Sequence, residues 1–506
     1  MICSEQKGNF IRLKDILITD HVRLRKVIKA AALSNMIEWF DLSVYGFLTY
    51  VLGGVFFPES APGMQRVAIL ATFSIPFFIR PLGGWVFGVL GDKYGRQKIL
   101  SITIIIMSLS TTCIGLIPSY HSIGILAPIS LLLCKVMQGF SVGGEYIGAS
   151  IFVAEYSPDR KRGLVGSWLD FSSIAGFMLG AALVVLISFI TGTDYFLQCG
   201  WRILFFMALP LGVIGLYFLR NIEDTPVFKK HIKNLNVRPG DQWFSMPTVA
   251  YLKMSFKKVL SEYWGNIFIC IGLVITTNIT YYMLLTYMPS YLSHNLNYSE
   301  DHSVKIMIVL MAGMLLLQPV MGLMSDRFGR RPLVIIGSSM LLFCAIPCFI
   351  LINSGIIWLM YSGFLVLSTI LNSFTGVMAS VLPALFPIHI RYSVLATSFN
   401  ISILIASFTP TFAAWLVEVT HNLYIPAYYL MIAGAIGLCT GIMMRETANL
   451  PLSGSVPIAS DIEEAKEILN DYYDYIEKKI IEIKQQITSL EEKRSHLINQ
   501  HPDIQE

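Results

Sequence analysis

The stretch Gly88-Val89-Leu90-Gly91-Asp92-Lys93-Tyr94-Gly95-Arg96 returns as Gly322-Leu323-Met324-Ser325-Asp326-Arg327-Phe328-Gly329-Arg330, every position displaced by 234 residues. Glycine permits a tight turn between two closely linked helices. The aspartate offers an acceptor to backbone amides or to an arginine. Long apolar stretches flank each copy. One such loop is a modest signal, but two in equivalent places predict a chain built from two similar halves.

Working outward, apolar stretches of about 20 residues recur along the whole chain, long enough to cross the hydrocarbon of a bilayer as helix. Only 14% of the 506 residues are charged and 54% are hydrophobic, whereas soluble domains carry about 25% charged residues. The pattern predicts an all-α integral membrane protein with twelve transmembrane helices in two six-helix halves, 30–220 and 263–445. Around them lie an N-terminal segment 1–29, a polar central loop 221–262, a linker 446–460 and a tail 461–506. Pro451 and Pro457 suggest that the linker is flexible. Arginine and lysine total 25 in the segments 1–29, 92–98, 155–163, 220–262, 327–331 and 385–393, against at most three (Arg66, Arg202, Lys305) on the other side. The positive-inside rule then puts both termini and the central loop in the cytoplasm. No CxxC pair, phosphate loop or nucleophile constellation is present, so neither an enzyme nor a metal site is expected.

The duplicated loop, Gly-x-x-x-Asp-basic-x-Gly-Arg, resembles the signature of the major facilitator superfamily. Glu38-Trp39-Phe40-Asp41, Ile79-Arg80-Pro81-Leu82-Gly83-Gly84 and Gln138-Gly139-Phe140-Ser141-Val142-Gly143-Gly144-Glu145-Tyr146 look like its metabolite:proton symporter family. Tyr281 to Ser290 and the tail beginning Asp461-Ile462-Glu463-Glu464 are similar to the osmoregulatory proline/glycine-betaine branch of that family. The resemblance implies a proton-coupled symporter importing zwitterionic osmolytes across a bacterial inner membrane, activated by hyperosmotic conditions. It implies H+ as coupling ion, with no other cofactor and no nucleic acid partner. Relatives that carry citrate, 2-oxoglutarate or shikimate supply the alternative, a carboxylate symporter. Gating falls to the loop residues Gly88, Asp92, Gly95, Arg96, Gly322, Asp326, Arg327, Gly329 and Arg330, and to the loops Glu155-Gly163 and Phe386-Arg391. The span-4 motif usually carries Arg three residues before Gln-Gly. Here that position is Lys135, a point charge in place of a planar fork.

Ionisable groups deep in a membrane are costly and functional by default. Glu38, Asp41, Arg80, Lys135, Glu145 and Asp170 all lie in the first half, while the second half offers Asn278, Tyr281, Tyr282, Gln318, Asn372 and Asn400. A division of labour follows: proton coupling through Glu38, Asp41, Asp170, Lys135 and Glu145, and polar or aromatic contacts from the second half. Three acids, Glu38, Asp41 and Asp170, and the two bases neutralise each other almost completely, leaving one acid free to titrate. For a zwitterionic substrate, Arg80 is the candidate for the carboxylate. Trp39, Phe40, Tyr281 and Tyr282 are candidates for the ammonium, with Asn278 beside them.

The tail shows a heptad seam of Leu469, Tyr473, Ile476, Ile480, Ile483, Ile487, Leu490, Arg494 and Leu497. It reads as a coiled coil. Arg494 at an a position would face its own copy in a parallel dimer, so an antiparallel homodimer of tails is expected.

Overall fold

The computed structural model describes residues 12–58, 62–220, 248–296, 298–388 and 390–500. Most of the expected central loop, 221–247, lies outside these residues. The first half contains α1 His21–Phe47, α2 Pro62–Tyr94, α3 Arg96–Leu116, α4 Leu126–Tyr156, α5 Arg162–Thr191 and α6 Phe196–Arg220. The second contains α7 Thr248–Tyr281, α8 Glu300–Phe328, α9 Arg330–Ile352, α10 Ile357–Val381, α11 Arg391–Ala406 and α12 Ile425–Met443. A π-helical turn, Tyr282–Tyr287, prolongs α7 into Met288–His294. Ten helices among the described residues are long and apolar enough to cross a membrane. The remaining two of these twelve, α1 and α2, carry the intramembrane charges Glu38, Asp41 and Arg80.

The first span begins earlier than its apolar run. Asp20 caps it, its Oδ1 accepting from the amides of Val22 at 2.9 Å and Arg23 at 3.2 Å, as an N-cap aspartate does. The two repeated loops take one backbone form. Gly95 has φ 103° and ψ 156°, and Gly329 has φ 98° and ψ 157°. L side chains avoid this conformation, so the glycine seen in the sequence is a requirement of the turn. Within the first half, α2 and α4 pack with their backbones almost touching. A Cβ on Gly143 would run into the carbonyl oxygen of Arg80. Small residues allow such approaches between membrane helices, and this one brings Arg80 close to α4.

Past α12 the chain does not run free. The expected flexible linker is instead tied down by arginines. Arg330 donates to the Thr447 carbonyl at 2.8 Å, Arg162 to that of Leu450 at 3.1 Å and Arg391 to that of Ser453 at 2.7 Å. Burial would raise the Glu446 carboxyl, but backbone amides of Ala448, Arg330, Arg331 and Thr447 outweigh it and hold that group below its usual range. The strand β1, Leu17–Ile18, then pairs in parallel with β2, Ile458–Ala459. The tail helix α13, Ile462–Gln500, follows. Its first turns pack Ala465, Ile468 and Leu469 on Ile16 and Ala459. Arg160 reaches Glu467 at 2.5 Å and Asp471 at 3.0 Å. Beyond that junction the seam residues Tyr473, Ile480, Ile483, Ile487 and Leu490 are exposed.

The Arg160 pairs are half in solvent, so each is worth at most about 1 kcal/mol. Arg160→Glu removes two attractions and adds two repulsions. Amide hydrogen exchange across Ile458 to Tyr472 should accelerate roughly tenfold, with exchange in α9 unchanged. Equal exchange in both proteins would show that the apolar contacts alone hold the tail.

Candidate functional site

Glu38 and Asp41 are one turn apart on α1, and each has taken a cation from a different helix. Arg80 Nη2 of α2 lies 3.1 Å from Glu38 Oε1, and Lys135 Nζ of α4 lies 3.3 Å from Asp41 Oδ2. Gln138 donates to the other Asp41 oxygen at 2.9 Å. The Arg80 guanidinium sits 4.8 Å from the Phe77 ring and the Lys135 ammonium 3.7 Å from that of Tyr45, so both cations have an aromatic face as well. Glu38, Asp41, Pro76, Arg80, Lys135 and Gln138 line one narrow cavity. The four charged groups are each no more than 7% exposed.

The second half meets this site through aromatic rings. Trp39 of α1 faces Tyr281 of α7, centroids 4.7 Å apart, and Phe77 meets Tyr282 edge-on at 6.2 Å. Trp39 Nε1, Tyr281 Oη, Glu38 Oε2 and Arg80 Nε are buried and have no protein partner. Buried polar atoms are normally satisfied. A cluster of such orphans around an ion pair offers hydrogen-bonding capacity to a polar ligand.

At the end of the bundle that carries the repeated loops, the halves lock together. Asp92 accepts from the amides of Tyr392 at 3.3 Å and Ser393 at 2.9 Å, at the start of α11. Asp326 accepts from those of Gly163 at 2.7 Å and Leu164 at 2.8 Å, at the start of α5. Each aspartate therefore caps a helix of the opposite half, where amides and dipole favour an anion. Glu155 binds Arg391 at 2.8 Å and lies 3.6 Å from Arg96. Arg96 also reaches Asp92 at 3.3 Å, and Arg330 reaches Asp326 at 3.8 Å. The bundle is closed at this end.

Comparison with known proteins agrees with this geometry. A family model described as sugar (and other) transporter matches residues 27–455. The chain belongs to that family. It is a membrane transporter of the major facilitator superfamily and not an enzyme. A second model, osmosensory transporter coiled coil, matches residues 460–505. The transporter is 64% identical to a proline/betaine transporter of Salmonella typhimurium over 98% of each chain. It is 64% identical, again over 98% of each, to a glycine betaine/proline/ectoine/pipecolic acid transporter of Dickeya dadantii. Among solved structures, a proton:xylose symporter shares the fold with TM-score 0.70 at 20% identity, covering 88% of this chain and 99% of its own.

Several residues of this transporter stand elsewhere than their sequence position suggested. Phe40 turns away from the ion pairs and packs with Val44, Leu48 and Phe205 in a separate apolar cluster, because it sits about 200° around α1 from Glu38. Asn278 donates its amide to the Val274 carbonyl of its own helix at 2.9 Å. Asn400 ties to the Gly143 carbonyl at 2.6 Å, Gln318 to Thr375 at 2.9 Å and Asn372 to the Met314 carbonyl at 3.1 Å. These amides hold helices together. Arg327 is exposed beside Phe328 and outside the lock. Among the described residues neither Asp170 nor Glu145 forms an ion pair: Tyr146 donates to Asp170 at 3.0 Å and Ser34 to Glu145 at 2.6 Å. Of Glu38, Asp41 and Asp170, the acid left over is Asp170, with Glu145 a further acid outside the pairing. The amides of Tyr392 and Ser393 at the lock carried no sequence signal, since any residue supplies an N–H.

Proposed function

We propose that this transporter imports proline, glycine betaine and related zwitterionic osmolytes together with H+ across a bacterial inner membrane, with no other cofactor. The ion pair Arg80–Glu38 facing Trp39 and Tyr281 supports this reading most directly. The paired site is neutral as a whole, which suits a ligand carrying one charge of each sign. The substrate carboxylate would compete with Glu38 for the Arg80 fork, and the aromatic faces would meet its ammonium. A carboxylate metabolite without a cationic nitrogen would leave that aromatic wall without a partner. The relatives named as proline/betaine transporters, alike over the full chain length, support the same substrates.

The reading places both termini and the locked end in the cytoplasm, by loop charge. The exposed seam of α13 pairs with a second copy, antiparallel, joining two transporters. The tail junction at Arg160 then offers a salt-screened contact through which hyperosmotic conditions bias the lock. Proteoliposomes containing purified protein test the reading. Labelled glycine betaine should accumulate with an acid exterior, more strongly at high osmolality, and proline should compete while citrate does not. Citrate uptake without betaine uptake would overturn the assignment.

A further inference from the structure

Asp170 is a buried acid of the bundle that no cation pairs with among the described residues and that Tyr146 holds. It is 7% exposed, its Oδ1 accepts from Tyr146, and its Oδ2 is buried without a partner. Among the described residues no arginine, lysine or histidine pairs with it. The titratable groups that face it are Tyr146 of α4, Tyr281 of α7 and, through them, Glu38 of α1, already bound to Arg80. An uncompensated carboxylate charge at this depth costs several kcal/mol, whereas the neutral acid is tolerated.

The turn of α4 that presents Tyr146 is fastened to the other half. Asn400 donates to the Gly143 carbonyl at 2.6 Å, and the Tyr392 hydroxyl to the Gly144 carbonyl at 2.6 Å. The Tyr146 ring stacks on Phe399, centroids 5.0 Å apart and planes within 9°. All three partners belong to α11, whose first turn is capped by Asp92. These contacts all cross from one half to the other.

We propose that Asp170 carries the transported proton, and that Tyr146, held by the Phe399 stack, is the positioning residue that shields the acid from cytoplasmic water while the cytoplasmic lock is closed. The proposal rests on the proton-symport reading. When the halves part, the stack is lost and water enters. The Asp170 O–H bond breaks, the proton passes to cytoplasmic water and the carboxylate remains with the Tyr146 hydroxyl donating to it. The empty, deprotonated carrier then returns to the outward-facing state, where Asp170 takes a new proton from outside. Arg80 and Glu38 then govern substrate binding, and Asp170 governs the direction of net transport.

The test uses proteoliposomes and labelled glycine betaine, with two assays on each variant. Asp170→Asn should lose proton-driven accumulation at least tenfold while one-for-one exchange stays within about twofold of the wild type. Tyr146→Phe should keep exchange and lower the accumulation ratio severalfold at a fixed pH gradient, an uncoupling that a merely structural role would not produce. Full accumulation by Asp170→Asn would overturn the proposal, and so would joint loss of exchange and accumulation. A wild-type protein that exchanges betaine but ignores the proton gradient would instead overturn the symport reading.

Discussion

Arg80→Gln lowers glycine betaine uptake about 100-fold or more, the largest functional loss expected from any single side chain at the central site. Arg80 is 6% exposed and its only ion-pair partner among the described residues is Glu38. Removing one member of a buried pair costs about 3–5 kcal/mol, much of it the burden of the charge left behind. The same change removes the group proposed to meet the substrate carboxylate. These two effects separate in the double variant. Arg80→Gln with Glu38→Gln leaves no stranded charge, so folding and membrane yield should recover while uptake should not. Arg80→Lys keeps the charge and loses the bidentate fork, so its uptake should fall between the two. Undiminished transport by both Arg80→Gln and Arg80→Lys would show that the pair is a structural tie between α1 and α2.

The second large effect is conformational. Glu155 is fully buried between Arg391 and Arg96, themselves fully buried. Glu155→Gln leaves two guanidiniums facing each other without the shared anion. Breaking this contact should destabilise the closed arrangement by about 3 kcal/mol, a shift of about 100-fold towards the state open at this end. Ser150 sits in the closed seam, its hydroxyl donating to the Ala379 carbonyl of α10 at 3.2 Å. In a background with the native cysteines replaced, Ser150→Cys should react with an impermeant maleimide from the cytoplasmic side far faster when Glu155→Gln is present. Asp92→Asn should do much less, because one amide oxygen still accepts at the start of α11. Equal labelling rates with and without Glu155→Gln would show that backbone contacts alone hold the lock.

The lock also explains why the tail is attached as it is. Arg162, Arg330 and Arg391 serve the halves and the linker at once, so the linker crosses between loops of both halves before β2 and α13 begin. The tail is thus fastened to the same loops that close the halves.

The residues themselves determined what is local. The repeated glycine-aspartate loop carries its turn geometry in its own glycines, Gly95 and Gly329, because φ near +100° excludes other residues wherever the loop sits. The number of spans follows from apolar length against bilayer thickness. The confinement of deep charges to the first half follows from composition alone, and the heptad of the tail from spacing. The tertiary structure alone decided who meets whom. Asp92 caps a helix 300 residues away, Phe40 faces apolar packing while its neighbours Glu38 and Asp41 face cations, and Asp170 is passed over by both bases of the bundle. The reason is physical. Periodicity records which face of a helix is apolar, but an ion pair in a membrane forms with whichever opposite charge the packing brings within about 4 Å, and that distance is written in the packing of helices far apart in the chain.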